Sequence, residues 1–278
     1  MSDSTSSNAA GLAGNSLTVR YRKDQEPIIN GASIAIPTGR ISVFIGPNGS
    51  GKSTLLKTLA KQLNPERGSV VLDGKDIATF SARQFACRLG ILFQENSAPN
   101  DLTVEELVYH GRYPHRKLFE SMNAEDRNAV EQALQLACVH ELRHNLVNQL
   151  SAGQRQLAWI AILLAQQTQY MFLDEPTTFL DLAHQFDVMD LIRRLNKDVG
   201  KTIGLVVHDL NLAARYGDHI FAMRNGCIVA SGAPAEVLTV ETLREVFEVE
   251  TRLIADEDTG SLYCLPMGKA QLATKEQA

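Results

Sequence analysis

The octapeptide Gly46-Pro47-Asn48-Gly49-Ser50-Gly51-Lys52-Ser53 matches the phosphate-loop pattern G-x-x-x-x-G-K-[S/T] without a mismatch. Residues 40–45 (RISVFI) read as a buried strand before it, and residues 53–63 (STLLKTLAKQL) read as a helix after it. In that context, backbone N–H groups can turn toward a phosphate and the helix N-terminus adds partial positive charge. Lys52 would supply a charge for the outer phosphates, and the Ser53 hydroxyl can hold Mg²⁺. The stretch therefore predicts a nucleotide-binding α/β protein.

The bulk properties of the 278-residue chain are those of an ordinary globular protein, with 44% hydrophobic and 21% charged residues. Its formal net charge of −5 argues against a nucleic-acid partner. The four cysteines are scattered and include no C-x-x-C pair, so neither a disulfide framework nor a cysteine metal site is expected. No apolar stretch has the length that spans a bilayer. A membrane role would have to come through a partner.

The order of predicted elements indicates a single domain over residues 17–268. Residues 1–16 are rich in Ser, Asn, Gly and Ala and contain no Lys or Arg, which predicts a disordered leader rather than a signal peptide. Residues 269–278 are interpreted as a C-terminal tail. A mostly helical stretch over about 95–165 interrupts the strands and predicts a helical lobe.

The strands on either side of this lobe differ in character. Residues 17–38 predict two or three antiparallel strands ahead of the phosphate loop. Residues 68–73 predict a further strand that ends in a turn, and residues 89–94 predict a short buried strand. Continuous apolar runs at 170–173 and 202–207 predict strands of the parallel-sheet type. A short helix over 240–249 and a terminal strand pair are expected to complete the chain.

Residues 170–175 (YMFLDE) place two carboxylates at the C-terminal end of an apolar strand. Downstream of a phosphate loop, this is how a nucleotide-hydrolysing enzyme presents its metal ligand. Asp174 is predicted to bind Mg²⁺ directly or through water, and Glu175 to orient or deprotonate the attacking water. Taken alone, residues 170–175 have a simpler interpretation, in which the acidic end of a buried strand is exposed to solvent and has no catalytic role.

Upstream of these acids, residues 150–154 read LSAGQ. Here the chain resembles the ATP-binding subunits of ABC transporters, whose signature reads L-S-G-G-Q at the same place. The resemblance extends over nearly all of residues 17–268. It implies a P-loop ATPase of the ABC type, with a mixed sheet core, an antiparallel β edge and an inserted helical lobe. It also implies ATP and Mg²⁺ as ligands.

The resemblance assigns roles to individual residues. Tyr21 resembles the aromatic residue that stacks on adenine, with an ordinary strand tyrosine as the alternative. Glu175, Gln94 and His208 form the catalytic set, in which Gln94 links metal and water to the helical lobe and His208 contacts the terminal phosphate. The metal ligands would be Ser53, Gln94 and Asp174. The remaining nucleotide-binding positions are Gly46, Pro47, Asn48, Gly49, Ser50, Gly51, Lys52, Ser53, Thr54, Ser151, Gly153 and Gln154.

One copy of each motif implies two chains, because in this family the signature of one subunit closes over the phosphate loop of the other. The resemblance therefore implies a head-to-tail homodimer around two ATP molecules, with Leu180-Asp181 in the loop that crosses the interface. Two positions depart from the pattern. Ala152 replaces the first signature glycine and is expected to leave activity reduced or unchanged. Leu157 stands where related importers often have arginine.

Residues 109–119 (YHGRYPHRKLF) resemble the ATPases of iron–siderophore importers, especially the ferric-enterobactin type. Residues 174–185 and 208–211 also resemble that group. This implies ATP-driven import of an Fe(III)–siderophore through a membrane permease, at the cytoplasmic face of the bacterial inner membrane, with a periplasmic or surface siderophore-binding protein as an indirect partner. Residues 94–103 and the region after them would form the groove for the permease. The alternative for 109–119 is a surface turn without a partner.

Two other functions remain open. The ATPase of a haem, cobalamin or other metal-chelate importer would share the same motor. A soluble ABC ATPase of DNA repair or translation is the less favoured alternative, because such proteins usually carry two cassettes or a long coiled-coil insertion. This chain has one phosphate loop and no heptad tract. Neither the siderophore nor the permease can be named from the sequence, and His110 and His115 lack the spacing of iron ligands.

Overall fold

The structure, a computed structural model, describes residues 11–22, 24–99, 101–116, 121–256 and 262–270. The strands are β1 (Leu12–Val19), β2 (Ile29–Ile36), β3 (Ile41–Ile45), β4 (Arg67–Leu72), β5 (Lys75–Asp76), β6 (Leu89–Leu92), β7 (Tyr170–Asp174), β8 (Thr202–Val206), β9 (His219–Arg224), β10 (Cys227–Gly232), β11 (Val249–Ala255) and β12 (Leu262–Lys269). The α-helices are α1 (Lys52–Leu59), α2 (Ala82–Ala86), α3 (Val104–Tyr109), α4 (Ala124–Leu136), α5 (Ala152–Ala165), α6 (Leu182–Lys197), α7 (Leu210–Tyr216), α8 (Pro234–Val237) and α9 (Val240–Phe247). Short 3₁₀ helices lie at Ile77–Thr79, His110–His115, His140–Leu142 and Val147–Gln149.

The six-stranded sheet at the centre has the order β10-β9-β3-β8-β7-β6. All its neighbouring strands pair in parallel except β10, which is antiparallel to β9. Helices cover both faces, so β3, β7 and β8 are buried along their whole length, as their continuous apolar sequences predict. Because parallel strands end at the same edge of a sheet, the segments that follow β3, β6, β7 and β8 meet at one edge.

A second sheet, with the order β2-β1-β4-β5, is antiparallel throughout and packs on the α1 side of the core. The mixed core, the antiparallel edge and the helices of the lobe together confirm the predicted fold class. The terminal strand pair is also confirmed, as the hairpin β11–β12. Within the described residues, no helix is long and apolar enough to cross a membrane.

The start of the domain was predicted wrongly. β1 begins at Leu12, where that buried side chain is aligned with Ile36 on β2 and with Leu72 on β4. Residues 12–16 therefore belong to the sheet, because strand pairing on both sides outweighs their small, polar composition. Residues 1–10 of the predicted leader and residues 271–278 of the predicted tail lie outside the described residues, whereas Lys269 ends β12.

The helix after the phosphate loop is shorter than predicted. It ends at Leu59 because Lys61 adopts a left-handed conformation (φ 58°). The N–H of Lys61 donates to Thr58 O and the N–H of Gln62 donates to Lys57 O, which is the double hydrogen bond of a Schellman motif. Lys61 occupies the left-handed position where glycine is most common, so the sequence contains no glycine that would predict the end of the helix.

In the helical lobe, two residues of the 109–119 segment are internal. Gly111 lies so close to α5 that a Cβ there would be 2.3 Å from Ile162 O. The fully buried Arg112 donates from Nε to Asp126 Oδ1 at 2.9 Å and from Nη1 to Ala165 O at 2.8 Å. These contacts join the segment to α4 and α5. Tyr113, in contrast, is 62% exposed, and residues 117–119 lie outside the described residues.

Candidate functional site

The phosphate loop connects β3 to α1 and depends on glycine at two close approaches. At Gly46 (φ 151°) a Cβ would lie 2.2 Å from the carbonyl oxygen of Met223 on β9. At Gly51 (φ 99°), the residue that caps α1, a Cβ would lie 2.7 Å from Ile29 Cδ1. Glycine has no side chain that could accept a hydrogen bond, so the residue that caps α1 does not satisfy the first N–H groups of the helix. The loop is shaped to present backbone donors.

Lys52, the first residue of α1, is buried beneath this loop. Its ammonium donates to the carbonyl oxygens of Gly46 at 2.9 Å and Pro47 at 3.0 Å. Burial lowers the pKa of Lys52, and the nearby carboxylates of Glu175 and Asp174 oppose that shift. The Lys52 side chain is therefore held beneath the loop, near the two acids at the end of β7.

Ser53 and Asp174 form the candidate metal site. Ser53 Oγ donates to Asp174 Oδ1 at 2.8 Å. Burial is the main cause that raises the pKa of Asp174, with the hydrogen bond from Ser53 acting in the opposite direction. A cation bound between Ser53 and Asp174 would favour the ionised form of the Asp174 carboxylate.

The spacing of these two oxygens fits Mg²⁺. An octahedral Mg²⁺ with ligands at about 2.1 Å places neighbouring ligands about 3 Å apart, close to the separation of Ser53 Oγ and Asp174 Oδ1. In the part of the chain that the structure describes, no group of three or more His, Cys, Asp or Glu could hold a metal by itself. The remaining ligands would have to be phosphate oxygens, water or Gln94.

Glu175 is the centre of a second cluster that joins three strand ends. Gln94, just after β6, donates from Nε2 to Glu175 Oε2 at 2.8 Å. His208, just after β8, places Nε2 at 2.6 Å from Glu175 Oε1. The Glu175 side chain is only 9% exposed and the residue has a left-handed backbone (φ 54°). Its N–H donates to Val206 O at 3.1 Å, which fixes that strained backbone to β8.

Thr178 is a member of this cluster that sequence reasoning missed. Its Oγ1 donates to Glu175 Oε2 at 3.1 Å, and its N–H donates to Glu175 O at 3.3 Å. The segment Glu175-Pro176-Thr177-Thr178 was a usable signal, because proline at the second position favours a tight turn that returns the fourth residue to the first.

The predicted residues converge on two adjoining clefts. The larger, of about 560 Å³, is lined by Ile28, Asn48, Gly49, Gly51, Lys52, Ser53, Thr54, Gln94, Glu175, Thr178 and His208. The other, of about 500 Å³, is lined by Tyr21, Ser53, Lys57, Gln62, Leu63, Phe93, Gln94, Glu95 and Asp174. Ser53 and Gln94 belong to both clefts, so the candidate metal site lies where they meet.

Tyr21 lies at the mouth of the second cleft. It follows the end of β1 in a bend rather than within a strand, and it is 53% exposed. Its hydroxyl is 3.3 Å from Thr54 Oγ1 on α1. The ring is therefore available to a planar group bound beside the phosphate loop.

The signature residues Ser151, Gly153 and Gln154 are not brought to either cleft within one chain. Ser151 caps α5 by accepting from the N–H of Gln154 at 3.2 Å, and Gln154 Oε1 accepts from the N–H of Ser151 at 3.1 Å. A Cβ at Gly153 would lie 2.1 Å from His184 Cδ2, so this glycine is required for the packing of α5 on α6.

The two departures from the signature have different surroundings. Ala152 is the exposed first residue of α5, so its methyl group displaces nothing in the chain. Leu157 is partly buried and packs against the main hydrophobic core, where an arginine would have to leave its charge at the edge of apolar surface. Beside the signature, two large apolar side chains are exposed: Phe179 in the loop before α6, at 90%, and Leu182, the first residue of α6, at 71%.

Comparisons with known proteins agree with this geometry. The ABC transporter family matches residues 29–178. The ferric enterobactin transport ATP-binding protein FepC of Escherichia coli K12 is 43% identical over 265 residues, which cover 95% of this chain and 97% of that protein.

Two solved structures have the same fold. One is a chain of an inward-facing transporter described as metal-chelate type, with a TM-score of 0.80 and 25% identity over 92% of this chain and 97% of the other. The second is the ATP-binding cassette MJ0796 in a dimeric, post-hydrolysis state bound to ADP and Pi. Its TM-score is 0.69 with 28% identity, over 80% of this chain and 98% of the other.

Proposed function

Since the chain belongs to the ABC transporter family, whose cassettes bind ATP, dimerise and pair with membrane permeases, we propose that it energises import of an Fe(III)–siderophore. The observation that carries the proposal is the convergence of Gln94, Glu175 and His208 beside the phosphate loop. The 43% identity to FepC over almost the whole chain supports a siderophore as the cargo.

Nucleotide binding is assigned to the two adjoining clefts. The N–H groups of the phosphate loop and the ammonium of Lys52 would hold the β- and γ-phosphates, exchanging the carbonyl contacts of Lys52 for phosphate oxygens. The exposed ring of Tyr21 is positioned to stack on the adenine. Ser53 and Asp174, with Gln94, would hold Mg²⁺, which neutralises charge on the phosphates when it is bound.

Hydrolysis is assigned to Glu175, with Gln94 and His208 beside it. Glu175 would orient a water molecule and take its proton as the water oxygen bonds to the terminal phosphorus and the bond to ADP breaks. Gln94 and Thr178 donate to Oε2, which leaves Oε1 as the atom that His208 contacts. His208, 43% exposed and 2.6 Å from Glu175, can reach the departing phosphate from the β8 side.

A second copy of the chain would complete the site. Ser151, Gly153 and Gln154 lie outside the cleft of their own chain, so we assign them to the nucleotide of the partner in a head-to-tail homodimer. The exposed Phe179 and Leu182 beside them offer apolar surface for that interface. Two chains would then enclose two ATP molecules.

The membrane partner would be a permease at the cytoplasmic face of the inner membrane, supplied indirectly by a siderophore-binding protein. The proposed contact is the groove of residues 94–103 and the region after them, because Gln94 at its start also contacts Glu175. A movement of the permease at this contact would be transmitted to the Glu175 carboxylate through the Gln94 side chain. Asn100, within the predicted 94–103 groove, lies outside the described residues.

A metal-chelate importer for haem or cobalamin is the second candidate. It is favoured by the fold likeness to the metal-chelate type transporter. The higher identity to FepC over a larger share of the chain favours the siderophore.

The test is uptake by cells that lack the gene. We expect uptake of a ⁵⁵Fe-labelled siderophore to be lost, and to be restored by the wild-type gene but not by Glu175→Gln. Glu141→Gln is the matched control, since that carboxylate is 96% exposed and lines neither cleft. Loss of haem or cobalamin uptake with siderophore uptake intact would favour the second candidate. Intact uptake of all three, with no permease co-purifying, would indicate a soluble ATPase instead.

A further inference from the structure

The C-terminal hairpin β11–β12 lies beyond residue 178, where the family match ends, and contains none of the predicted site residues. Its second strand nevertheless contacts the helix that follows His208. Asn211, in the first turn of α7, accepts at Oδ1 from the N–H of Cys264 at 2.8 Å. Its Nδ2 donates to the carbonyl oxygen of the same residue at 3.5 Å.

Through these two hydrogen bonds, the Asn211 side chain pairs with the backbone of β12 as a neighbouring strand would. A primary amide carries the donor and the acceptor of a peptide unit, so Asn211 occupies the outer edge of β12 as a residue of a neighbouring strand would. On its other side, Cys264 is aligned with Leu253 of β11. The thiol of Cys264 is buried in the main core, where burial, with the charge of Asp209, raises its pKa to about 11. The neutral thiol anchors the hairpin beneath α7.

The start of α7 determines where His208 lies. On the sheet side, the N–H of Val207 donates to Phe44 O at 3.4 Å. On the helix side, Asp209 caps α7 by accepting from the N–H groups of Asn211 at 2.7 Å and Leu212 at 3.3 Å. His208 is the residue between these two attachments, so a shift of the first turn of α7 would move its imidazole.

The helix is seven residues long and is attached by side chains at both ends. At its far end the Tyr216 hydroxyl donates to Asp190 Oδ1 on α6 at 2.7 Å. At its near end Asn211 is attached to the hairpin. Of these two attachments, only Asn211 lies beside the cap that follows His208.

We infer that Asn211 is a positioning residue, which holds the first turn of α7 against the hairpin and so keeps the His208 imidazole within hydrogen-bond distance of Glu175. The C-terminal hairpin then serves ATP hydrolysis although it touches no part of the nucleotide cleft. The role in hydrolysis rests on the proposed function of His208. The placement of the imidazole does not.

Asn211→Leu tests the inference, because it removes the donor and the acceptor at nearly unchanged volume. Tyr216→Phe is the matched control, since it removes the attachment at the other end of the same helix and keeps the ring. We expect Asn211→Leu in the full chain to lower kcat for ATP about tenfold, with KM changed less than about twofold, because a small misplacement of a reacting group weakens the transition state. Tyr216→Phe should keep kcat within about twofold of the wild type.

A readout independent of turnover is the imidazole ¹H–¹⁵N NMR spectrum of the full chain with ADP. The His208 signals, identified by their loss in His208→Gln, should shift in Asn211→Leu and remain in place in Tyr216→Phe. In a His208→Ala background, Asn211→Leu should have no further effect on residual turnover. If Asn211→Leu does not fold, Asn211→Asp provides the same comparison, because a carboxylate still accepts from the Cys264 N–H but cannot donate to its carbonyl.

Equal losses of kcat in Asn211→Leu and Tyr216→Phe, or unchanged His208 signals in Asn211→Leu, would overturn the inference and reduce Asn211 to a stabilising contact. A different result would count against the proposed function alone. If His208→Ala hydrolyses ATP as fast as the wild type, the catalytic role of His208 is wrong, and the NMR shift still decides whether Asn211 positions it.

Discussion

The helices α1 and α5 begin within the phosphate loop and the signature, respectively, but the N–H groups at the two helix ends are satisfied differently. At α1, Gly51 has a left-handed backbone and provides no side-chain cap. At α5, Ser151 and Gln154 cap each other in a reciprocal box. The first helix end therefore keeps donors for a ligand, whereas the second is satisfied within its own chain.

The surroundings of the two ends differ in the same way. Around α1, side chains from the ends of β6, β7 and β8 converge on the loop. Around α5, the packing of Gly153 against His184 fixes a rigid surface beside exposed Phe179 and Leu182. The difference is consistent with the proposed roles, in which the cleft binds the nucleotide and the signature surface closes over the cleft of a partner chain.

Glu175→Gln should have the largest effect. The amide keeps the size of the side chain but cannot accept the proton of the attacking water, so we expect kcat to fall about 10² to 10³-fold. ATP binding should persist, because the phosphate loop is unchanged, and light scattering should show a dimer trapped with ATP. Glu141→Gln is the control. Retention of more than a tenth of wild-type turnover would place the base elsewhere.

Mixing two inactive variants tests whether the two helix ends belong to one site across chains. Lys52→Met damages the phosphate loop, and Ser151→Arg damages the signature. In a mixed dimer one site keeps both wild-type halves, so hydrolysis should recover to about a quarter of the wild-type rate if half of the dimers are mixed. Lys52→Met mixed with Glu175→Gln should not recover, because that mixture leaves each site with one damaged half on the cleft side.

Phe179→Ala should weaken the ATP-dependent dimer while leaving the monomer intact. The side chain is 90% exposed, so its removal should change the free energy of unfolding by less than about 0.5 kcal/mol. In a dimer that buries the ring, the loss of about 1–2 kcal/mol should raise the dimer dissociation constant roughly tenfold. Analytical ultracentrifugation of the Glu175→Gln background measures this. Val199→Ala, at another exposed apolar side chain, should have no effect.

Ala152→Gly should have the smallest effect. The methyl group is exposed and displaces nothing in its own chain, so restoring the usual glycine should change kcat by less than about twofold. Loss of helix propensity at the first position of α5 should cost no more than about 1 kcal/mol. A large gain in turnover would show that the methyl group obstructs the nucleotide of the partner chain.

Many elements were predictable because their signals are local. The parallel strands β7 and β8 were predictable from the apolar runs at 170–173 and 202–207. The errors had two causes. β1 starts at Leu12 because two strands distant in sequence pair with it. α1 ends at a local left-handed turn at Lys61, where the sequence has lysine instead of the usual glycine. The roles of Gly111 and Arg112 were missed because they depend on α4 and α5, which lie far along the chain.

The sequence by itself determined the phosphate loop, the pair of acids after β7 and the family, because each depends on residues close together in the chain. Only the tertiary structure decided which strand ends are neighbours. The order β3-β8-β7-β6 brings Gln94, Glu175 and His208 into contact, and the hairpin places Cys264 against Asn211. The physical reason is that periodicity specifies which face of a strand or helix is buried. It does not specify which distant segment buries it.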